Sequence, residues 1–258
     1  MRFLRTIAVT FAQYSRVPMP RFEWKDEDMR YSMAVFPWVG ALIGACVFLW
    51  CRFCGAFGVP ASAVALIMAA IPLIVTGGFH VDGFMDVSDA ISSYKSRKEK
   101  LAILKDPHIG AFAVIRLAVA GLIYLASLII LCGDREAVLA VCFGFFFARA
   151  LSALAVLYFR SAKHEGMLFY EATSAAKGRK ANLIINGIWI TCCAALMIYF
   201  GGYAGSISVC IALFCFLYYR QMSEREFGGI TGDTAGWFVT VCEVAMAAAA
   251  ALYVMVQK

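Results

Sequence analysis

Long uncharged apolar runs constrain this chain more than any other feature. Seven stretches lie at roughly 33–51, 62–79, 111–132, 137–159, 183–200, 204–219 and 236–256. They are close to or above the ~18 residues at which an apolar segment reads as a transmembrane helix. The sixth is the shortest, entered through Gly201, Gly202 and Gly205 and ended by Tyr218, Tyr219 and Arg220. Hydrophobic residues make up 62% of the chain, against about 45–50% in soluble domains. The expected fold class is therefore all-α: a polytopic integral membrane protein of about seven transmembrane helices, forming one membrane-embedded domain over residues 1–258. The segment Phe3–Val17 carries Arg5, Gln13, Tyr14 and Arg16 and is too short and polar to span. It reads as an N-terminal amphipathic helix lying in the membrane interface, with no sign of a secretory signal peptide.

The basic residues set the orientation. Eighteen of the 23 lysines and arginines fall in four regions: the N-terminal segment to residue 32, and the loops 80–110, 160–182 and 220–235. The alternate loops and the C-terminus carry only Arg52, Arg135 and Lys258. Lys and Arg favour cytoplasmic loops. Seven crossings with the N-terminus inside thus put every long polar loop on the cytoplasmic face of a cell (inner) membrane, with every aspartate except Asp134. The net charge of +6 is read as attraction to anionic headgroups. No nucleic-acid-binding motif appears, so no nucleic-acid partner is expected. Most of the ten cysteines lie in apolar runs, where cysteine acts as a small hydrophobe. Cys51-Arg52-Phe53-Cys54 has no second pair to complete a metal site.

Against this apolar background stands a group of aspartates: Asp82, Asp86, Asp89 and, further on, Asp106. On a helix, Asp86 lies about 40° from Asp82, and Asp89 about 20° to its other side. Three carboxylates within ~60° of arc repel one another unless a cation sits among them, and Asp oxygens suit Mg²⁺ completed by substrate phosphate. Asp82, Asp86 and Asp89 are therefore the expected metal ligands and catalytic residues. A solvated helix end pairing with Lys95 and Arg97 is the plainer account. His80 is either a hydrogen-bonded interfacial histidine or a contact to phosphate or metal. His108 and His164 say less. Asp233 stands in a glycine-rich loop, Gly228 to Gly236. It either caps the last span or helps to hold a nucleotide phosphate. Arg116, Arg149 and Glu243 lie inside apolar runs and need partners. They form an ion pair, or else Arg149, with Arg160, captures an anion.

Taken together, these residues resemble cobalamin synthase, the adenosylcobinamide-GDP ribazoletransferase family. The likeness begins at Phe11-Ala-Gln-Tyr-Ser-Arg16-Val17-Pro18-Met19-Pro20 and passes through Phe36-Pro37-x-x-Gly40. It continues in Gly77-Gly78-x-His80-x-Asp82-Gly83-x-x-Asp86-x-x-Asp89 and Asp106-Pro107-x-Ile109-Gly110, and closes at Gly229-x-Thr231-Gly232-Asp233. Ala90 stands where the family has Gly, and Ser92-Ser93-Tyr94 replaces a more Gly-rich stretch.

The resemblance implies a Mg²⁺-dependent transferase. It joins adenosylcobinamide-GDP to α-ribazole, or to α-ribazole 5′-phosphate, and releases GMP. It also implies that the corrinoid-GDP and the ribazole are the partners, along with the lipid bilayer; a homo-oligomer is left open. Substrate contacts then fall to His80, Gly83, Lys105, Arg149, Arg160, Gly229, Thr231 and Asp233, and the hydroxyl proton to Asp106 or Asp89. Two other readings compete. A CDP-alcohol phosphotransferase shares Asp-Gly-x-x, but Asp86-Val87 and Gly110-Ala-Phe-Ala-Val114 break its pattern. An ion-coupled transporter predicts acidic residues near the bilayer midplane, whereas these gather at one edge.

Overall fold

The computed structural model describes residues 2–20, 22–163 and 165–257. Met1, Arg21, His164 and Lys258 lie outside it. Among the described residues the chain is helical throughout: α1 (Arg2–Tyr14), α2 (Asp26–Met29), α3 (Ser32–Val35), α4 (Pro37–Phe57), α5 (Ala61–Thr76), α6 (Phe79–Ser92), α7 (Arg97–Ile103), α8 (Ala111–Leu131), α9 (Arg135–Tyr158), α10 (Met167–Ala176), α11 (Arg179–Phe227) and α12 (Gly232–Val256). The nearest approach to a sheet is one isolated parallel bridge between Ser161 and Ile230.

Five helices, α4, α8, α9, α11 and α12, are long and apolar enough to cross a membrane. A sixth span arises if α5 and α6, bent by 94°, count as one. Their boundaries follow local chemistry. Pro37 opens α4 at its first turn, where its missing N–H costs nothing. The run expected from residue 33 therefore starts four residues later, after the separate turn α3. Gly58, at φ 62°, closes α4 in the left-handed conformation common at helix ends. The expected span 62–79 stops at Thr76, because Gly77 and Gly78 both take positive φ (67° and 80°) and turn the chain into α6.

The expected spans 183–200 and 204–219 both lie within α11. This 49-residue element breaks at Gly202 (φ 54°, ψ −135°). A Cβ on Gly205 would stand 1.9 Å from the Met197 carbonyl oxygen. Residues eight apart in a straight helix are separated by about 12 Å, so the chain turns back on itself at Gly202.

α9 forms the centre, buried on most sides and packed against α4, α11 and α12. The outer helices expose their apolar faces: Leu49, Phe53 and Phe57 on α4, Phe112, Ile115, Val119 and Leu122 on α8, and Ile184, Ile188 and Leu217 on α11. Apolar surface on that scale is costly in water and suits lipid.

The four basic regions meet at one end. Arg30 donates to the Lys177 carbonyl at 2.7 Å, Arg97 to the Arg225 carbonyl at 2.9 Å, and Lys105 pairs with Glu165 at 2.7 Å. Lys100, almost fully buried, pairs with Glu226. This docks α7 on the end of α11. α1 is helical as expected for Phe3–Val17, with Val9 and Tyr14 buried and Phe3 and Leu4 exposed. All ten cysteines are free, and Cys51 meets the Met68 sulfur rather than a metal-type cluster.

Candidate active site

The corner at Gly77-Gly78 swings α6 away from α5. At 14 residues α6 is too short to cross a bilayer, and it carries Asp82, Asp86 and Asp89 along one side. Two glycines let it lie directly against α12. A Cβ on Gly83 would fall 2.6 Å from the Asp233 carbonyl oxygen, and one on Gly236 would fall 3.0 Å from that of His80. This backbone contact brings the two acidic motifs, 150 residues apart in sequence, to one place. Asp86 registers the result. Burial first, then the charges of Asp82, Asp233 and Asp89, push its carboxyl up to about 6.

Asp89 has a second task. Its two oxygens accept the backbone N–H groups of Gly110 (2.7 Å) and Ala113 (2.8 Å). It thereby caps the start of α8 from a neighbouring helix, satisfying donors that have no partner inside α8. Gly110 leaves room for it, since a Cβ there would stand 2.6 Å from the carboxylate.

A cavity of about 260 Å³ opens beside this contact. His80, Asp82, Gly83, Lys163, Thr231 and Asp233 line it, together with an aromatic group of Tyr14, Phe36 and Phe79. The loop after α9 is held to the loop before α12 by two bonds. Ile230 N–H donates to the Arg160 carbonyl (2.8 Å), and Ala162 N–H to the Ile230 carbonyl (2.9 Å). Gly229 (φ 152°) permits the approach, because a Cβ there would meet the Arg160 carbonyl oxygen at 2.5 Å. The pairing delivers Lys163, whose charge acts on Asp233. Thr231 accepts the Thr234 N–H (3.1 Å) and so starts α12, and its hydroxyl lies 3.4 Å from Asp233 Oδ2.

His80 is buried, and its Nε2 has no partner among the described residues. Of the other expected residues, Asp106 is exposed, binds His108 at 2.7 Å, and is not among the charges acting on Asp86. Lys105 is occupied by Glu165, and Arg160 contributes its backbone carbonyl. Arg149 does not line the cavity. Its guanidinium, 1% exposed, pairs with Glu243 at 2.6 Å and donates to the Phe145 carbonyl at 2.9 Å. A buried ion pair is what the structure gives it. Among the described residues no three His, Cys, Asp or Glu side chains converge at metal-ligand distances. The donor set is still chemically suited to Mg²⁺, which binds through one or two carboxylates and fills the remaining positions with water and phosphate.

Sequence reasoning did not single out Tyr14, Lys163 or Glu171. Tyr14 stands inside the Phe11–Pro20 element, and Lys163 was one of five basic residues in its loop. Glu171 had no signal beyond being an acid in an otherwise apolar helical segment.

Fold and site define a helical membrane protein with an acidic cavity at its basic-loop end. A family model, cobalamin-5-phosphate synthase, matches residues 6–251. The chain belongs to that family. It is 35% identical over 244 residues to an adenosylcobinamide-GDP ribazoletransferase of Lachnoclostridium phytofermentans, covering 95% of this chain and 92% of the relative. It is 29% identical to the Clostridium perfringens strain 13 protein of that name, covering 93% and 95%. It is 30% identical to that of Pseudomonas fluorescens SBW25, covering 95% and 98%. No solved structure matches.

Proposed function

We propose that this protein joins adenosylcobinamide-GDP to α-ribazole, or to α-ribazole 5′-phosphate, giving adenosylcobalamin or its 5′-phosphate and GMP. The family supports the reaction class. The observation that carries it to this site is the Gly83–Asp233 backbone contact, which sets Asp82 and Asp233 on the wall of one cavity with Lys163. A ribose hydroxyl attacks the phosphorus next to the corrinoid, a new P–O bond forms, and the diphosphate bond to GMP breaks. Positioning and charge neutralisation carry most of such a transfer.

Asp82 and Asp233, on the wall of the cavity, supply the carboxylates that would hold Mg²⁺. When bound, it would neutralise the diphosphate and the departing GMP. Lys163 offers the phosphates a cation, and His80 offers them an imidazole nitrogen that no described residue occupies. Asp86 adds its charge from behind Asp82 and Asp233, and a carboxylate of this group accepts the hydroxyl proton. Asp89 acts as the anchor of α8 and adds its charge.

The active site lies on the cytoplasmic face in this reading, because the four basic regions surround it. The turn at Gly202 supports seven crossings, with α11 as two antiparallel spans and α5 as a short one. The exposed apolar residues of α1 support its lying in the interface. Incubating the purified protein with adenosylcobinamide-GDP, α-ribazole and Mg²⁺, and following GMP release, tests the reaction. Absence of GMP release from folded protein would sink it.

A further inference from the structure

Glu171 lines the cavity, yet the chemistry above leaves it without a task. It is 3% exposed, on the short helix α10. Its Oε1 accepts the Tyr14 hydroxyl and the Gln13 side-chain amide. Among the described residues none donates to Oε2 and no cation is paired with the carboxylate. Beside it the Gln13 Oε1 is buried without a donor. Buried carboxylates almost always have a cation or a full set of donors, and here burial has pushed the carboxyl up to about 7. Acceptor capacity is thus in surplus.

The surroundings are aromatic. The Tyr14 ring lies 4.3 Å from that of Phe36 and 5.7 Å, edge-on, from that of Phe79. The same cavity reaches Asp82, Asp233 and Lys163. It therefore joins a place for phosphates to an aromatic wall, with a carboxylate that needs donors beside it.

The geometry points to a guanine subsite, in which Glu171 Oε2 accepts the N1–H and the 2-amino N–H of a base lying against the aromatic wall of Tyr14, Phe36 and Phe79. This rests on the transferase reading and adds to it which reactant the cavity reads. The base of α-ribazole has one free ring nitrogen, an acceptor, and no N–H to offer. The corrinoid carries amide donors but is too large for about 260 Å³. Guanine alone among the reactants presents two neighbouring N–H donors on the edge of a flat ring. The nucleotide it belongs to is the leaving group, so Glu171 acts as a positioning and specificity residue for GMP.

The test uses the full chain in lipid nanodiscs. Turnover of adenosylcobinamide-GDP by the wild type comes first; its absence defeats the transferase reading, whatever base the cavity takes. Inhibition of that turnover by GMP, IMP, AMP and N1-methyl-GMP is then compared. A hydrogen bond to a charged group is worth ~1.5–3 kcal/mol, so GMP should inhibit at concentrations about 10-fold or more below those of IMP, which lacks the 2-amino group. AMP and N1-methyl-GMP should be weaker than GMP by a similar factor. Glu171→Gln, which keeps size and shape, should bring GMP close to IMP. The inference is overturned if the wild type treats the four nucleotides alike. It is equally overturned if Glu171→Gln keeps the GMP preference, or changes only the KM for α-ribazole. Should that variant not fold, the wild-type series decides alone: N1-methyl-GMP as potent as GMP defeats the subsite.

Discussion

Asp82, Asp86 and Asp89 have the same side chain and share one helix side, but their surroundings separate their roles. Asp82 reaches the cavity. Asp86 lies among the other carboxylates and is raised to about 6. Asp89 holds the start of α8. Asp82→Asn, which removes a charge at constant size, should lower GMP release at least ~100-fold, the scale of loss for one electrostatic group in a site. The variant should still elute and melt like wild type; near-normal turnover would remove Asp82 from the reaction. Glu171 makes a pH prediction. Its carboxyl rises from an ordinary 4.5 to about 7 on folding, chiefly through burial. The folded state therefore binds this proton more tightly than the unfolded chain. The resulting stability is fully present below pH ~4.5 and is lost as pH climbs through about 7, at most ~3 kcal/mol. Melting temperature should fall between pH 5 and 8, and Glu171→Gln should flatten that slope. An unchanged slope in the variant would show that the proton is bound elsewhere.

At the scale of elements, the site depends on how closely α6 meets α12. A methyl group at Gly83 collides with main-chain atoms of Asp233, 2.6 Å and 2.9 Å away, and neither can rotate aside. Gly83→Ala should cost about 1–3 kcal/mol as an overpacked contact. It should reduce turnover further than that loss explains, by parting Asp82 from Asp233. Gly55→Ala, which meets nothing within 4 Å, is the matched control and should be silent in turnover. Activity retained in Gly83→Ala would mean the helices need not touch. Asp89 acts at this scale too. Asp89→Ala strands two N–H groups at the head of α8, a cost of ~1–3 kcal/mol. Thermal melts should show the damage, with Asp89→Asn, which keeps an acceptor, falling between.

Over the whole molecule, both ends of α11 belong to the same cluster. Gly178 packs on Arg30 and Tyr31 at one end, and Gly228 leads into the segment paired with Arg160 at the other. A single 49-residue span would put these ends on opposite sides of the bilayer. In the proposed seven-crossing arrangement the reversal at Gly202 puts them on one. Topology reporters inserted at Gly178 and at Gly228 should therefore report the same compartment, and one at Gly202 the other. Opposite compartments at Gly178 and Gly228 would rule out seven crossings.

Apolar runs determined the helical class, and the chain's acids and glycines marked where chemistry would gather. These signals are local: a lipid-facing helix must be apolar residue by residue, and Asp82, Asp86 and Asp89 share a helix side through their spacing alone. Two lone-glycine contacts and one parallel bridge then decided which carboxylates meet. Arg149 looked like an anion ligand until Glu243, 94 residues away, answered its charge. Glu171 looked like nothing until Tyr14 and Gln13, more than 150 residues upstream, closed around it. A side chain's role depends on which charges and donors share its low-dielectric surroundings, and those neighbours are chosen by packing between distant segments.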